Sequence, residues 1–298
     1  MLYSSVTPEQ KRIQLRERLK ESEPLVLFGA FNALTALMIQ RHTTEGIYIS
    51  GHMIAADLGL PDLGLTSISE VAGRAQQIAR VVDGPALVDA DTGFGEPLNM
   101  ARSIQTLEDA GVAGCHVEDQ VNPKQCGHNE GIQVVERAAA VRRIAAAVQA
   151  RRDPNFLIIA RTDARAAIGL DEAITRAKAY RDAGADVIFA EALKDAAEYE
   201  RFRKEVDAPL MVNLNEFGVG DPLTRQELRD LGVDLAVYPM TLMRLALGAV
   251  ERGLADIIAS GTQLGSMPQM QTRDELYDYL GYDAYRALDN TIFASALD

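Results

Sequence analysis

The sequence predicts an α/β protein built as a closed (β/α)8 barrel. Short apolar runs alternate with amphipathic helical stretches between residues 24 and 260, and the alternation repeats eight times. Strict alternation of this kind means parallel strands with helices outside them. Eight units in a chain of 298 residues fit a barrel whose usual length is about 250 residues. Polar residues also gather at the C-terminal ends of the expected strands, the rim on which such barrels build active sites.

The elements follow in order, within a single domain. An N-terminal helical segment, 1–23, contains PEQKRIQLRERLK, whose thin apolar stripe predicts a surface helix over 8–20. In the barrel, 24–260, strands are expected at 25–31, 46–50, 85–89, 112–118, 156–161, 185–190, 209–213 and 233–238. These are compact apolar runs bounded by glycine, proline or turn residues. Helices are expected at 34–41, from 67 onward, and at 98–110, 134–150, 170–183, 196–206, 224–231 and 241–260. Ser67 with Glu70 and Thr224 with Glu227 have capping-box spacing. Residues 51–66 read as a loop. A C-terminal extension, 261–298, contains MQTRDELYDYL and AYRALDNTIF, helical in pattern with aromatics along one side. An amphipathic segment must cover something, either this barrel or a neighbouring subunit.

Composition narrows the function. A chain 47% hydrophobic can bury an ample core, and a net charge of −13 argues against nucleic acid and anionic membranes. No run approaches the roughly 20 apolar residues of a membrane span, and no secretory signal is visible, so the expected location is the cytoplasm. Cys115 and Cys126 make neither a metal-type pair nor a disulfide framework. Cys115 should pack as a small apolar residue, whereas Cys126 sits in a polar loop.

Chemistry concentrates in CHVEDQVNPKQCGH, residues 115–128. A strand delivers Glu118 to its end, and a Pro- and Gly-punctuated loop then carries Lys124, Cys126 and His128, as a lid would. Asp89 and Asp91 are two apart, as are His116 and Glu118, and Arg161 and Asp163, so each pair shares a face. Asp89, Asp91 and Glu118, with Asp62 from the preceding loop, offer hard oxygen ligands suited to Mg²⁺ or Mn²⁺. The competing reading is an acidic network paired with Arg161. Ser50-Gly51-His52 is a turn whose backbone N–H groups can hold an anion. Tyr48 shares the face of Ser50. Arg161, Arg244 and Arg273 are candidates for bidentate carboxylate binding, although each alone is more often structural.

The loop Lys124-Gln125-Cys126-Gly127-His128, preceded by VEDQ and VDADTGFG, resembles the carbon–carbon lyase branch of the isocitrate lyase and phosphoenolpyruvate mutase superfamily. IYISG, LGLPDLG, DADTGFG, HVEDQ, KQCGH, ARTDA, FAEA, NEFG and MQTRDELY span nearly the whole chain, and together they resemble its 2-methylisocitrate lyase family. The resemblance implies reversible cleavage of 2-methylisocitrate to pyruvate and succinate in propionate breakdown, through the methylcitrate cycle. It implies Mg²⁺ (Mn²⁺ as an alternative) on Asp89, with Asp62, Asp91 and Glu118 acting directly or through water. The pyruvate-half carboxylate would rest on Ser50, Gly51 and His52, helped by Arg161. The succinate half would lie against Cys126, Gly127, His128, Glu191, Asn213, Leu214, Asn215, Arg244 and Arg273. Cys126 would be the acid, Tyr48 or a carboxylate the base, and Lys124 and His128 would tend to ionise the thiol. Phe189 and Val237 match positions that accept the extra methyl. Family members are homotetramers that exchange their last helices, which would explain 267–298. His52, Asn215 and Gln125 depart from the family pattern and bear on preference among 2-methylisocitrate, isocitrate and 2,3-dimethylmalate. An oxaloacetate decarboxylase or an inactive ligand-binding barrel are the remaining readings.

Overall fold

A computed structural model describes residues 3–129, 131–220 and 222–295. The outermost residues of the two terminal segments, 1–2 and 296–298, lie outside the described residues. The chain runs α1 (Pro8–Arg18), β1 (Leu25–Gly29), α2 (Ala33–His42), β2 (Ile47–Ile49), α3 (Gly51–Asp57), α4 (Ile68–Ala79), β3 (Ala86–Asp89), α5 (Pro97–Asp109) and β4 (Gly114–Glu118). It continues through α6 (Arg137–Ala150), β5 (Leu157–Thr162), α7 (Ala164–Ile168), α8 (Leu170–Asp182), β6 (Val187–Ala190), α9 (Ala196–Glu205) and β7 (Leu210–Asn213). The last elements are α10 (Arg225–Asp230), β8 (Leu235–Tyr238), α11 (Thr241–Ser260), α12 (Arg273–Leu280) and α13 (Tyr282–Ser295). All eight strands are parallel in sequence order, and β1 against β8 closes the barrel with Leu25 opposite Leu235.

Period-2 alternation divides the strand residues between two cores. Leu25, Leu27, Leu87, Leu157, Ile159, Phe189, Leu235 and Val237 fill the lumen. Ile49, Val88, Cys115, Val117, Ile158, Ile188 and Val212 face the helices. Each such side chain contributes about 1.5–3 kcal/mol when fully buried. Both expected capping boxes form, at Ser67–Glu70 and Thr224–Glu227.

Two expectations need correction. Residues 51–57 are a helix rather than loop, starting directly after β2 with Ser50 at its N-cap. The N-terminal helix is more than a surface element: Leu15 is fully buried among the lumen residues and plugs the barrel's floor. Its buried cations Lys11 and Arg12 donate to Ala79 O (2.7 Å) and Glu108 O (2.8 Å), at the C-terminal ends of α4 and α5. Carbonyls left open at helix ends attract such donors.

Beyond β8 the pattern changes. Among α11 residues only Met243 is buried, and Leu245, Leu254 and Ile258 are exposed. Helix α12 is tied to α2 through Arg41, which bonds Asp278 and stacks 4.2 Å over the Tyr279 ring. No helix of the described residues is long and apolar enough to cross a membrane.

Candidate active site

The C-terminal rim brings the expected acids to one cavity. Asp89 closes β3, with its Oδ2 accepting from Gly51 N (3.1 Å) and its Oδ1 from Asp91 N (3.0 Å). That second bond belongs to a turn in which Asp91 takes a left-handed φ of 46°, a conformation costly for a non-glycine residue and concentrated at functional sites. Burial alone would raise the Asp89 carboxyl, but His116, Lys124 and Arg161 outweigh it and hold it near 2. Asp91 goes the other way: burial and the neighbouring Asp89 push it up to about 6 despite Lys124. Burial likewise drives Glu118 well above the carboxylate range, only partly offset by Arg161.

Lys124 Nζ lies between two of these acids, paired with Asp62 and 2.6 Å from Asp91 Oδ1. Arg161 occupies the other side. It grips Asp163 with two bonds of 3.0 and 2.8 Å, and its Nε lies 3.3 Å from Glu118 Oε2. Among the described residues no three of His, Cys, Asp and Glu stand ready to chelate an ion, so the expected ligands converge without forming a finished cage. Their chemistry still fits a hard divalent cation. Glu118 Oε1 is buried without a partner, and Asp62 and Asp91 already converge on a positive charge. All the donors are oxygens, which suits Mg²⁺ or Mn²⁺ over softer metals.

The lid folds over this cluster. Gln120 pins it by exchanging two bonds with the Gln125 backbone, at 2.8 and 3.0 Å. Cys126 lines the cavity. Burial raises its thiol, with the His128 backbone N–H pulling the other way. The expectation that Lys124 and His128 ionise the thiol is not met. Lys124 is spent on Asp62 and Asp91. His128 Nδ1 accepts from Val219 N (3.0 Å), and its Nε2 lies 3.1 Å from Glu191 Oε1. Burial would raise Glu191, but Arg161 and His128 hold it down to about 2.

With the lid down the cavity is only about 50 Å³, room for little more than water. Ser50, His52, Gly127, Asn213, Asn215 and Arg244 complete its wall. Arg244 is held by Glu216 (3.4 Å) and lies 5.0 Å over the Phe217 ring. Asn213 and Asn215 each present a buried side-chain oxygen with no partner. A larger cleft of about 730 Å³ lies at the opposite end of the barrel, beside Glu45, Arg18 and Arg225. Its Glu45 is already paired with both arginines, so size does not mark the site.

The phosphoenolpyruvate phosphomutase family model matches residues 15–258. The chain belongs to the phosphoenolpyruvate mutase/isocitrate lyase superfamily. It is 53% identical to a probable 2-methylisocitrate lyase of Corynebacterium glutamicum, over 99% of this chain and 96% of that protein. It is 42% identical to the 2-methylisocitrate lyase of Aeropyrum pernix, over 97% of this chain and 93% of the other. Among solved structures, oxaloacetate acetylhydrolase bound to 3,3-difluorooxalacetate superposes with a TM-score of 0.90 at 30% identity, covering 96% of this chain and 98% of that one. Phosphonopyruvate hydrolase with oxalate and Mg²⁺ superposes at 0.85 and 29% identity, covering 96% and 99%. The superfamily's lyases are metal-dependent enzymes acting on small carboxylates.

Within this superfamily barrel, four expected substrate contacts lie elsewhere. Arg273 starts α12 and is exposed, outside the cavity of its own chain. The Leu214 side chain packs outward among the helix-facing core, because it alternates with Asn213 and Asn215. Phe189 and Val237 sit in the lumen core and do not line the cavity. Phe189 instead supports the Arg161 guanidinium 5.1 Å above its ring. One central residue went unassigned from sequence: His116, whose Nε2 lies 2.7 Å from Tyr48 Oη and 3.6 Å from Asp89 Oδ1. Burial pushes its imidazole down to about 4, although Asp89 raises it. The signal was present, since His116 is two residues before Glu118.

Proposed function

We propose that this protein is a carbon–carbon lyase that cleaves 2-methylisocitrate to pyruvate and succinate, using Mg²⁺ held by Asp89, Asp91, Asp62 and Glu118, with Mn²⁺ able to replace it. The observation that carries the reading is a half-buried, raised thiol on a closing lid, opening on the same small cavity as Asp89 and Glu118. Full-length likeness to 2-methylisocitrate lyases supports the substrate.

Cleavage breaks the C–C bond of a 2-hydroxy acid. The hydroxyl loses its proton and becomes the carbonyl of pyruvate, while the bonding pair moves to the succinate half as an enolate. A divalent ion bound by the acids would act as a Lewis acid toward the hydroxyl and its neighbouring carboxylate. The remaining steps fall to the chain. A carboxylate of the cluster takes the hydroxyl proton. Arg161, Arg244, Asn213 and Asn215, with the Ser50 hydroxyl and the His52 amide, orient the carboxylates and meet the charge that develops. The Gly51 amide is already committed to Asp89, so its role is to position the acid. Cys126 then transfers its S–H proton to the enolate carbon; the raised thiol is protonated at neutral pH, as an acid must be. Lid closure excludes water from the enolate.

Arg273 reaches a carboxylate only from a neighbouring chain. The reading therefore includes a homotetramer whose C-terminal helices exchange, supported by the exposed apolar face of α11. It places the enzyme in the cytoplasm, in propionate breakdown by the methylcitrate cycle.

Pyruvate release from 2-methylisocitrate, isocitrate and 2,3-dimethylmalate, each with and without chelator, tests the reading. Release should be fastest with 2-methylisocitrate, vanish with chelator and return with Mg²⁺. Cys126→Ser should retain metal and pyruvate binding yet lose cleavage by roughly 10²-fold or more. Turnover like that of the native chain in this variant would remove the proposed acid.

A further inference from the structure

Tyr48 and His116 face each other inside the lumen, their rings near parallel at 13° with centroids 5.9 Å apart. The contact between Tyr48 Oη and His116 Nε2 is 2.7 Å, and among the described residues the phenol has no other hydrogen-bond partner. The imidazole also packs against Phe189 in a T-shaped contact, with centroids 5.2 Å apart and the rings at 85°. Its Nδ1 is buried without a partner, and Asp89 Oδ1 stands 3.6 Å from Nε2.

These neighbours decide where the single N–H of a neutral imidazole lies. On Nδ1, the hydrogen would be a buried donor with no acceptor, and the Nε2 lone pair would face the Asp89 carboxylate, itself an acceptor. On Nε2, the hydrogen meets the Tyr48 oxygen with Asp89 close by, and only a lone pair is left unmatched at Nδ1. An unmatched acceptor is tolerated better than an orphaned N–H.

We propose that His116 is a positioning residue. Its Nε2–H donates to Tyr48 Oη, so the phenol's own hydrogen must turn away from the ring and into the cavity that Tyr48 lines beside Ser50 and Asp89. Tyr48 then serves as a hydrogen-bond donor to the substrate oxygen that becomes the pyruvate carbonyl, and the proton of that hydroxyl goes to a carboxylate. Tyr48 is not the base. The inference rests on the lyase reading above for the identity of the oxygen, but the tautomer does not.

Two measurements on the full chain separate these claims. The chain has four histidines, so long-range ¹H–¹⁵N correlation spectra with ¹⁵N-histidine labelling, assigned against His116→Gln, read which ring nitrogen carries hydrogen. A proton on Nε2 supports the proposal, and a proton on Nδ1 overturns it, whether or not any substrate is turned over. The second measurement is pyruvate release from 2-methylisocitrate with Mg²⁺. Tyr48→Phe should lower kcat about 10²-fold, the usual effect of losing one donor to a developing oxyanion. His116→Leu should lower kcat by a similar factor and move KM by less than about threefold, and the double variant should be no slower than either alone, as for residues acting as a unit. His116→Gln, which keeps an N–H near the Nε2 position, should recover roughly tenfold over His116→Leu. Losses that multiply in the double variant, or a glutamine variant as slow as the leucine one, would overturn the coupling. Should His116→Leu fail to fold, the glutamine variant and the tautomer still decide. Should the native chain release no pyruvate, the substrate assignment falls while the tautomer measurement stands.

Discussion

Gly127 sits where the lid meets the strand ends, and adding one methyl there tests whether lid closure makes the site. A Cβ at this position would fall 2.5 Å from Arg161 Nη2, from Asp163 Oδ1 and from Glu191 Cγ. Ordinary contacts need about 3.5 Å, so something must retreat by roughly 1 Å. The three neighbours cannot supply it, because they are buried and tied together at 2.8 and 3.6 Å. The lid must move instead, carrying Cys126 away from the acids. Displacing a catalytic group by about 1 Å can cost around 10²-fold in rate. Gly127→Ala should therefore lower kcat for pyruvate release roughly 10²-fold. Gly127 does not occupy the left-handed region, so alanine suits its backbone, and the melting temperature should fall by no more than about 4 °C, the shift expected for about 1 kcal/mol in a large domain. Gly73→Ala in α4, where a Cβ meets nothing within 4 Å, is the control and should match the native chain in kcat. A native kcat in Gly127→Ala would refute the claim that the closed lid is the catalytic state, as would a melting temperature so low that unfolding explains the loss.

Other outcomes follow from the same contacts. Asp119 is buried behind β4, accepting from Thr162 Oγ1 (2.8 Å), Asp163 N (2.9 Å), Arg176 (3.1 Å) and Tyr180 Oη (2.7 Å). Asp119→Ala would leave four buried donors without their acceptor and Arg176 with Glu172 (3.1 Å) as its remaining carboxylate. Denaturant unfolding should therefore show a loss of about 3–5 kcal/mol, and a loss below about 1 kcal/mol would contradict the network. Glu191 is held down to about 2 from an ordinary 4.5, so the folded state binds fewer protons than the unfolded one between those values. Its stabilisation is present above the ordinary value and lost as pH falls through that window. Thermal melts of Glu191→Gln and the native chain, compared between those values, should show the shallower acid slope in the variant. Equal slopes would argue against the Arg161 and His128 pairing.

The barrel was legible because each strand carries its own period-2 pattern and each helix its own stripe, all within ten or so neighbouring residues. What failed was short or indirect. Helix α3 spans seven residues and opens with glycine, too little chain for a 3.6-residue period to register. Helix α1 looked superficial because a single leucine plugs the lumen while buried Lys11 and Arg12 bind carbonyls, and burial through charge does not widen a thin apolar stripe. The site's residue types were equally visible, since strand ends and a punctuated loop are local features. Their partners were not. Lys124 and His128 flank Cys126 in sequence, yet Lys124 finds Asp62 and Asp91, and His128 finds Glu191 and Val219. Proximity along the chain predicted their company wrongly because a lid residue meets whatever the rim presents beneath it.

The two readings of the acids, a metal site or an Arg161-paired network, turn out to describe different halves of one cluster. Arg161 serves Glu118, Asp163 and Glu191, while Asp62 and Asp91 turn to Lys124 and Asp89 is bonded by two backbone amides. Six carboxyl groups thus have Arg161 and Lys124 as their paired cations, while Arg244 on the same wall is held by Glu216. Asp91, Asp163 and Glu118 are raised first by burial, with neighbouring carboxylates adding to it. A polycarboxylate would add further negative charge, and Coulomb repulsion in a water-poor cavity would exclude it. Positive charge must enter with the substrate or before it. A divalent ion held among Asp62, Asp89 and Asp91 would supply that charge on the side away from the Arg161 pairs, and it would relieve Lys124, the one cation paired with both Asp62 and Asp91. A metal bound there would then be the condition for substrate binding, its part in the chemistry coming second; substrate binding by the native chain should accordingly be lost with chelator and return with Mg²⁺.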